Sequence, residues 1–514
     1  MSVPIDQISN SGGSLSSMIF DQYGYTVDSL SYVDSFLTVG VQTFMIDLYW
    51  NEFTQIWQLC PSPFPNNITS NIVDLNWNNK NYTCDTNLST QMLMNRFENY
   101  ISETNTNFEV NLITVLLNLK SIHYSISNMT LGYDSLFNYT ISGNSTLNST
   151  FSSLGTYIFT PEVLQDYRNT IGSTSAPISF YNQSIAVMPS LHTVLYTELR
   201  RVMINVVSDE LVDSKLGYNI TSNDKLGIFF DDTLQTSIKA TNEESMNMLC
   251  DNLVDNFNIS TTNFRFIIDN DVDPFTLTSV RQYIRCGLTP IFNATTYTVN
   301  STRISDLGQI FNAFIPFSLW SWAPFQPAMP TYINSTSSSS TNGTVPYRCV
   351  VLNSNGWEVA NCYDSYSYAC QNETSPYDWI IDLEKKKSYV DIQHNDCPDG
   401  YIFSLPRSNG EMLSLLHVTD NDTLPIWIDL NDLTVENCFV YGGPYAQCPY
   451  QKTITTNTFV RAIAPSAVVG VVILVLIFME KVFRVNPIQT NRKRYWKRAL
   501  QDYYEKNDYE GVPS

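Results

Sequence analysis

Along its first three hundred residues the chain alternates short apolar runs with longer mixed segments. Residues 41–47 (VQTFMID), 110–118 (VNLITVLLN), 226–231 (LGIFFD) and 264–269 (FRFIID) are rich in β-branched or aromatic side chains, and each ends in a carboxylate or an amide. They show little polar alternation, which predicts strands buried on both faces, hence a parallel sheet in an α/β fold. The segments between them predict helices over 91–100, 189–207 and 243–257. Strands with Asp or Asn at their C-terminal ends are what a (β/α) barrel presents at its functional face. A barrel-like domain is therefore expected over residues 1–318.

The pattern changes after residue 318. Residues 331–344 (TYINSTSSSSTNGT) are polar, carry almost nothing to bury and read as an exposed loop or linker. Around them, 319–455 forms a region dense in Trp and Cys, with six of the ten cysteines between Cys349 and Cys448. Residues 462–479 (AIAPSAVVGVVILVLIFM) contain no charge and predict one transmembrane helix of about 27 Å at 1.5 Å per residue. Lys481, Arg484, Arg492, Lys493, Arg494, Lys497 and Arg498 follow it. By the positive-inside rule, 480–514 is a cytoplasmic tail and everything before the span is luminal or extracellular: a single-pass type I membrane protein. The basic run 492–498 needs no role beyond meeting anionic headgroups. The first twenty residues lack a basic and apolar leader, so a signal peptide is missing from this chain and a truncated start is expected.

Composition supports that compartment. Sixteen Asn-x-Ser/Thr sequons occur, at Asn67, Asn81, Asn87, Asn128, Asn138, Asn144, Asn148, Asn182, Asn219, Asn258, Asn293, Asn300, Asn334, Asn342, Asn372 and Asn421. All precede the apolar segment, as glycosylation of a luminal part requires. The ten cysteines (Cys60, Cys84, Cys250, Cys286, Cys349, Cys362, Cys370, Cys397, Cys438, Cys448) contain no CxxC pair and read as disulfides formed in an oxidising compartment. Endoplasmic reticulum, secretory pathway, vacuole and cell surface remain open. A net charge of −21 argues against direct nucleic-acid binding.

Candidate chemistry is sparse. The four histidines (His123, His192, His394, His417) are scattered, so paired-histidine metal motifs are absent. Residues 269–273 (DNDVD) begin like a calcium loop, but Pro274 stands where the glycine belongs. No metal and no cofactor are expected. Asp47, Glu52, Asp231, Asp232 and Asp269 are the catalytic candidates; converging at one barrel mouth, they would support glycoside-type hydrolysis. The plainer role for them is to cap helices and bond loop amides.

Residues 47–52 (DLYWNE), Leu59-Cys60-Pro61, 285–290 (RCGLTP), 319–322 (LWSW), 426–430 (IWIDL), 441–450 (YGGPYAQCPY) and 510–514 (EGVPS) resemble the fungal maintenance of telomere capping protein 6 family. The resemblance runs collinearly from near residue 3 to the last residue. It implies a type I N-glycosylated membrane protein with an indirect tie to telomere capping. The N-terminal half looks like the phospholipase C-like phosphodiesterase barrels, which use two histidines placed after their first and second strands. That likeness puts Ile8-Ser9-Asn10-Ser11 and Gln58-Leu59-Cys60 at those places, without a histidine, so a degenerate barrel is expected, with His123 the sole survivor in range. Trp320, Trp322, Gln326-Pro327, Cys349, Gly356-Trp357, Cys362 and Cys370 resemble the second half of a C-type lectin-like module. Cys397-Pro398, Pro406-Arg407, Glu411 and Trp427-Ile428 resemble its first half, in reversed order and without a calcium tripeptide. The expected protein is a non-catalytic glycoprotein whose ligand is a luminal protein, glycan or lipid; the alternative is a membrane-tethered hydrolase.

Overall fold

The computed structural model describes residues 3–66, 68–106, 109–123, 145–173, 188–230, 235–239, 264–328, 347–382, 385–393, 396–419, 423–449 and 456–506. The chain divides into two units, Met1–Ala446 and Gln447–Ser514.

The first unit is built on eight parallel strands: β1 (Gly12–Ser14), β2 (Thr43–Asn51), β3 (Ile113–Ile122), β4 (Ile158–Phe159), β5 (Val202–Glu210), β6 (Gln235–Lys239), β7 (Phe264–Ile268) and β8 (Thr289–Phe292). Their lateral order is β4-β5-β3-β2-β1-β8-β7-β6, so β1 joins the first strands of the domain to the last. Beyond β5, Phe229 makes one parallel bridge to Asn205. Among the described residues no ladder connects that edge to β6, so the sheet is curled and open there: a partial TIM barrel.

Alternation along the strands sorts the core. Phe44, Ile46, Leu48 and Trp50 of β2 face outward and pack with Phe36 and Leu37 of helix Leu30–Thr38 and with Leu93 and Phe97 of helix Thr90–Glu103. Met45, Leu116, Phe266 and Ile291 face inward and fill the barrel centre. The β1 seam leaves no room for side chains. A Cβ on Gly12 would lie 2.5 Å from Ile291 Cδ1 and 2.7 Å from the Thr43 carbonyl oxygen; one on Gly13 would lie 2.5 Å from a Phe36 ring carbon.

A second, six-stranded sheet contains β9 (Tyr347–Asn353), β10 (Gly356–Asn361), β11 (Ser367–Asn372), β12 (Trp379–Ile381), β13 (Tyr401–Phe403) and β14 (Ile426–Asn431). Its order is β10-β9-β14-β11-β12, with β13 also on β11. One face packs Val350, Leu352, Ile426 and Ile428 with Met412 and Leu415 of helix Asn409–Val418. The other gathers Trp427, Tyr368, Tyr389 and the disulfides Cys349–Cys362 and Cys370–Cys397. Cys60–Cys84 ties the end of the barrel's second strand region to hairpin strand Lys80–Asp85. Cys286, Cys438 and Cys448 are disulfide-bonded as well. Cys250 lies outside the described residues.

This sheet docks on the barrel floor, the end where the parallel strands begin. Ser9 Oγ bonds Asn409 Oδ1 at 2.9 Å, Tyr377 donates to Gln7 Oε1 at 2.9 Å, and Arg285 donates to the Ser354 carbonyl at 2.9 Å. Arg281 donates to the carbonyls of Leu319 and Asn355.

Several expected elements shift. The strands expected at 41–47 and 110–118 are Thr43–Asn51 and Ile113–Ile122. Among the described residues of segment 226–231, which are 226–230, no strand forms: helix Ser222–Gly227 ends there, and only Phe229 pairs. The helix expected over 189–207 is a π turn, Thr193–Thr197, running into β5. There Val202, Ile204 and Val206 face the outer core while Asn205 faces the barrel, a period of two that the helix formers preceding it conceal. Helix 243–257 and loop 331–344 lie outside the described residues.

In the second unit, helix Thr456–Lys506 contains the segment Ala464–Phe483, twenty residues of mean hydropathy 2.4 with none buried. It spans about 30 Å, long and apolar enough to cross a membrane by length and composition.

Gly12→Ala is expected to destabilise the protein by about 1–3 kcal/mol or more, as overpacking of a close seam does. The measurement is the chemical-denaturation midpoint; Ile291→Val in the same chain should recover part of the loss by retracting the Cδ1 atom. An unchanged midpoint for Gly12→Ala would contradict the packing described.

Candidate functional site

The C-terminal ends of β2 and β3 project beyond the apolar barrel centre and carry polar side chains inward. Asp47 and Asn118 are register partners, as are Tyr49 and Lys120. Asn118 Nδ2 donates to Asp47 Oδ1 at 2.8 Å, and Lys120 Nζ lies 2.8 Å from Asp47 Oδ2. Lys120 also sits 5.8 Å from the centre of the Tyr49 ring. A second ion pair stands beside the first. Asp21, after β1, accepts from Lys80 at 2.9 Å and from the Tyr25 hydroxyl at 3.0 Å. Burial pushes the Tyr49 phenol far up, reinforced by the charge of Asp47. Burial also raises the Tyr82 phenol, and the charges of Lys80, Asp21 and Lys120 all act on it.

Glu52 follows β2 and is nearly fully buried. Its Oε2 lies 2.9 Å from Nδ1 of His123, the residue after β3, and its Oε1 accepts from Ser214 Oγ at 2.8 Å. Trp50 Nε1 bonds the Leu216 carbonyl at 2.9 Å and so holds the Ser214 loop in place. A buried carboxylate on Nδ1 orients the imidazole and leaves Nε2 as its working nitrogen.

Asp269, after β7, has a different environment. It accepts from the backbone amides of Phe275 and Ala294, each at 3.1 Å, and from that of Asn293. Burial raises its carboxyl to about 6, against the pull of those amides. Asn270 caps the amides of Val272 and Asp273, and Asp271 accepts from the amide and hydroxyl of Thr295, so the turn is closed by Asn270 and tied to the segment after β8. Asp231 and Asp232 lie outside the described residues.

These positions bear on hydrolysis. Asp47 and Glu52 are five residues apart on one extended segment, so their Cα atoms are separated by about 17 Å. In a glycosidase the two carboxyl groups, rather than the Cα atoms, stand roughly 5–9.5 Å apart. The placement of Ile8–Ser11 after the first strand is corrected: these residues precede β1, and Leu15-Ser16-Ser17 follow it. After β2 stand Glu52 and Phe53, while Gln58 ends a short return strand, Ile56–Gln58, paired antiparallel with β2. Both histidine positions are thereby moved, and neither new position holds a histidine. Lys120 is the mouth residue that sequence reading missed; only its pairing register places it on Asp47.

Among the sequon asparagines that are described, Asn81, Asn87, Asn219 and Asn300 are exposed, and Asn148, Asn293 and Asn372 are half-buried. Asn293 accepts from Ser17 Oγ at 2.7 Å and sits in the mouth. Asn67, Asn128, Asn138, Asn144, Asn182, Asn258, Asn334, Asn342 and Asn421 lie outside the described residues.

Comparison with known proteins places this architecture. Residues 1–314 match the family described as the MTC6 partial TIM-barrel domain. The chain is 48% identical over 567 residues to maintenance of telomere capping protein 6 of Candida albicans (strain WO-1), covering 100% of this chain and 92% of that protein. It is 48% identical to the Candida tropicalis protein of the same name over 558 residues, with the same coverage. The protein of that name from Komagataella phaffii is 28% identical over 527 residues, covering 100% of this chain and 93% of the relative. With full-length identity of this order and a barrel domain matched over its first 314 residues, the chain belongs to the maintenance of telomere capping protein 6 family.

Proposed function

We propose that this protein is a non-catalytic, single-pass type I membrane glycoprotein of the secretory pathway or cell surface. Its partial barrel and its Cys-rich, lectin-like second module act in ligand binding or protein maturation. The observation that carries the reading is the state of the strand-end carboxylates. Asp47 is bonded by Asn118 and Lys120, Glu52 by His123 and Ser214, and Asp269 by three backbone amides. Each is tied up in bonds that hold the mouth together. Proton transfer at a phosphodiester uses an acid and a base with pKa near the working pH, the task of two histidines in barrels of that kind. Among the described residues, His123 alone stands at such a position.

The tie to telomere capping comes from the relatives' name. An acidic luminal protein has no route to telomeric DNA, so the tie is indirect. The apolar segment Ala464–Phe483 supports the membrane tether, with the basic tail on the cytoplasmic side.

Topology is tested on the full chain expressed in cells with a leader supplied. Endoglycosidase should lower its apparent mass, and a tag after Ser514 should stay protease-accessible in sealed microsomes. A protected tag, or no mass change, would reverse the assignment.

The alternative, a membrane-tethered hydrolase, is favoured by one contact, the buried Glu52 carboxylate on His123. The detergent-solubilised protein is expected to hydrolyse neither inositol phospholipid nor glycerophosphodiester above background, because loss of each proton-transfer group costs on the order of 10²–10⁴ in rate. Turnover abolished by His123→Ala would establish the hydrolase instead.

A further inference from the structure

The barrel floor contains a cavity of about 160 Å³, far from the mouth. It is lined by the N-terminal segment before β1 and by the first residues of β2, β3, β7 and β8. Two of its walls carry unmet polar groups. Asp6, only 6% exposed, lines it, and its buried Oδ1 has no hydrogen-bond partner. Arg265, at the start of β7, has no partner for its buried Nε. The two charges act on each other, yet no ion pair within 4.0 Å joins them. Burying a polar atom without a partner costs about 1–3 kcal/mol, so an unmet acceptor and an unmet donor in one cavity point to an occupant.

The remaining lining narrows the chemistry. Asn10 is already committed: it donates to Gln42 at 3.1 Å and accepts from Thr43 at 2.7 Å. Asn111 is held by Arg201 at 3.0 Å and by Tyr100 at 2.9 Å. Asp6 and Arg265 carry opposite charges, so with the carboxyl ionised the pair favours a ligand of neither sign. Each needs a partner of opposite hydrogen-bonding sense, and a hydroxyl group both donates and accepts. Phe264 and Phe266 add apolar faces against which the C–H side of a ring or chain can lie. The volume is about tenfold the roughly 10–15 Å³ that a single water requires, so the cavity admits a molecule larger than water.

We propose that the barrel floor is a binding site for a neutral, hydroxyl-rich small molecule, a monosaccharide or small polyol, bridging the Asp6 carboxyl and the Arg265 guanidinium. Burial raises the Asp6 carboxyl to about 7, against the pull of Arg265 and Arg168, so near neutral pH it also exists as a donor that a hydroxyl can meet. The site does not depend on the membrane topology or on the state of the mouth.

The test is calorimetric titration of the full chain, in a detergent without a sugar headgroup, with glucose and mannitol as probes and with glycine betaine and phosphate as controls. Saturable binding of a neutral probe is expected, with Kd on the order of 1 mM. It should weaken at least about tenfold in each of Asp6→Leu, Arg265→Met and the cavity-filling Thr114→Leu. Asp6→Leu removes a buried carboxyl without a partner at Oδ1, so its denaturation midpoint should not fall; this separates lost binding from lost fold. Glucose alone would identify a monosaccharide site, and mannitol alone a linear-polyol site. No saturable heat with either probe up to about 100 mM, binding unaffected by all three substitutions, or preference for betaine or phosphate would each overturn the proposal.

Discussion

The structure depends on the pairing of a three-residue strand. β1 hydrogen-bonds to β2 on one side and to β8 on the other, in register Gly12 with Thr43 and Gly12 with Ile291. Because its two glycines carry no side chain, Ile291 can reach the barrel centre and Phe36 can press on the outer face at the same level. Without that seam β2 and β8 would both be edges, and the mouth assembled from β1, β2, β3 and β7 would lose its frame. Among the described residues no ladder joins the β4–β5 edge to β6, so the pairing at β1 is what joins the two halves of the curled sheet.

The two ends of the barrel then divide their work. At the mouth, charges are paired by register: Asp47 meets Lys120 and Asn118 because β2 and β3 are long and aligned. At the floor, the second sheet covers the strand beginnings through Ser9, Gln7, Arg281 and Arg285. A barrel's floor is where conservation ordinarily reads as stability. Here it also encloses unmet polar atoms.

Legibility in the sequence followed the range of the determining interaction. β2 and β7 were readable because their runs Phe44–Ile46 and Phe266–Ile268 are apolar on both faces. β1 was not, since GGS carries no apolar signal and is a strand only by virtue of partners near residues 43 and 291. β5 was hidden by the helix-forming residues just before it. Asp269 at a strand end was readable as a residue bonding loop amides, whereas Lys120 looked like an ordinary strand lysine until the register set it on Asp47. The aromatic and cysteine density after residue 318 pointed to further packed structure there, but the strand order of its sheet, with β14 inserted between β9 and β11, is set by long-range pairing.

The seam also fixes a timetable. Ser9, just ahead of β1, bonds the carbonyl of Ile284, 275 positions later. During synthesis at roughly 5–20 residues per second, the first strand therefore waits on the order of 15–55 s for its second neighbour to emerge. Throughout that interval β2 and β3 present an incomplete sheet with open edges, the state most prone to pairing with other chains. Folding of this protein is thus tied to the completion of translation of its barrel, and a pause or truncation before residue 289 would leave a nascent chain unable to close.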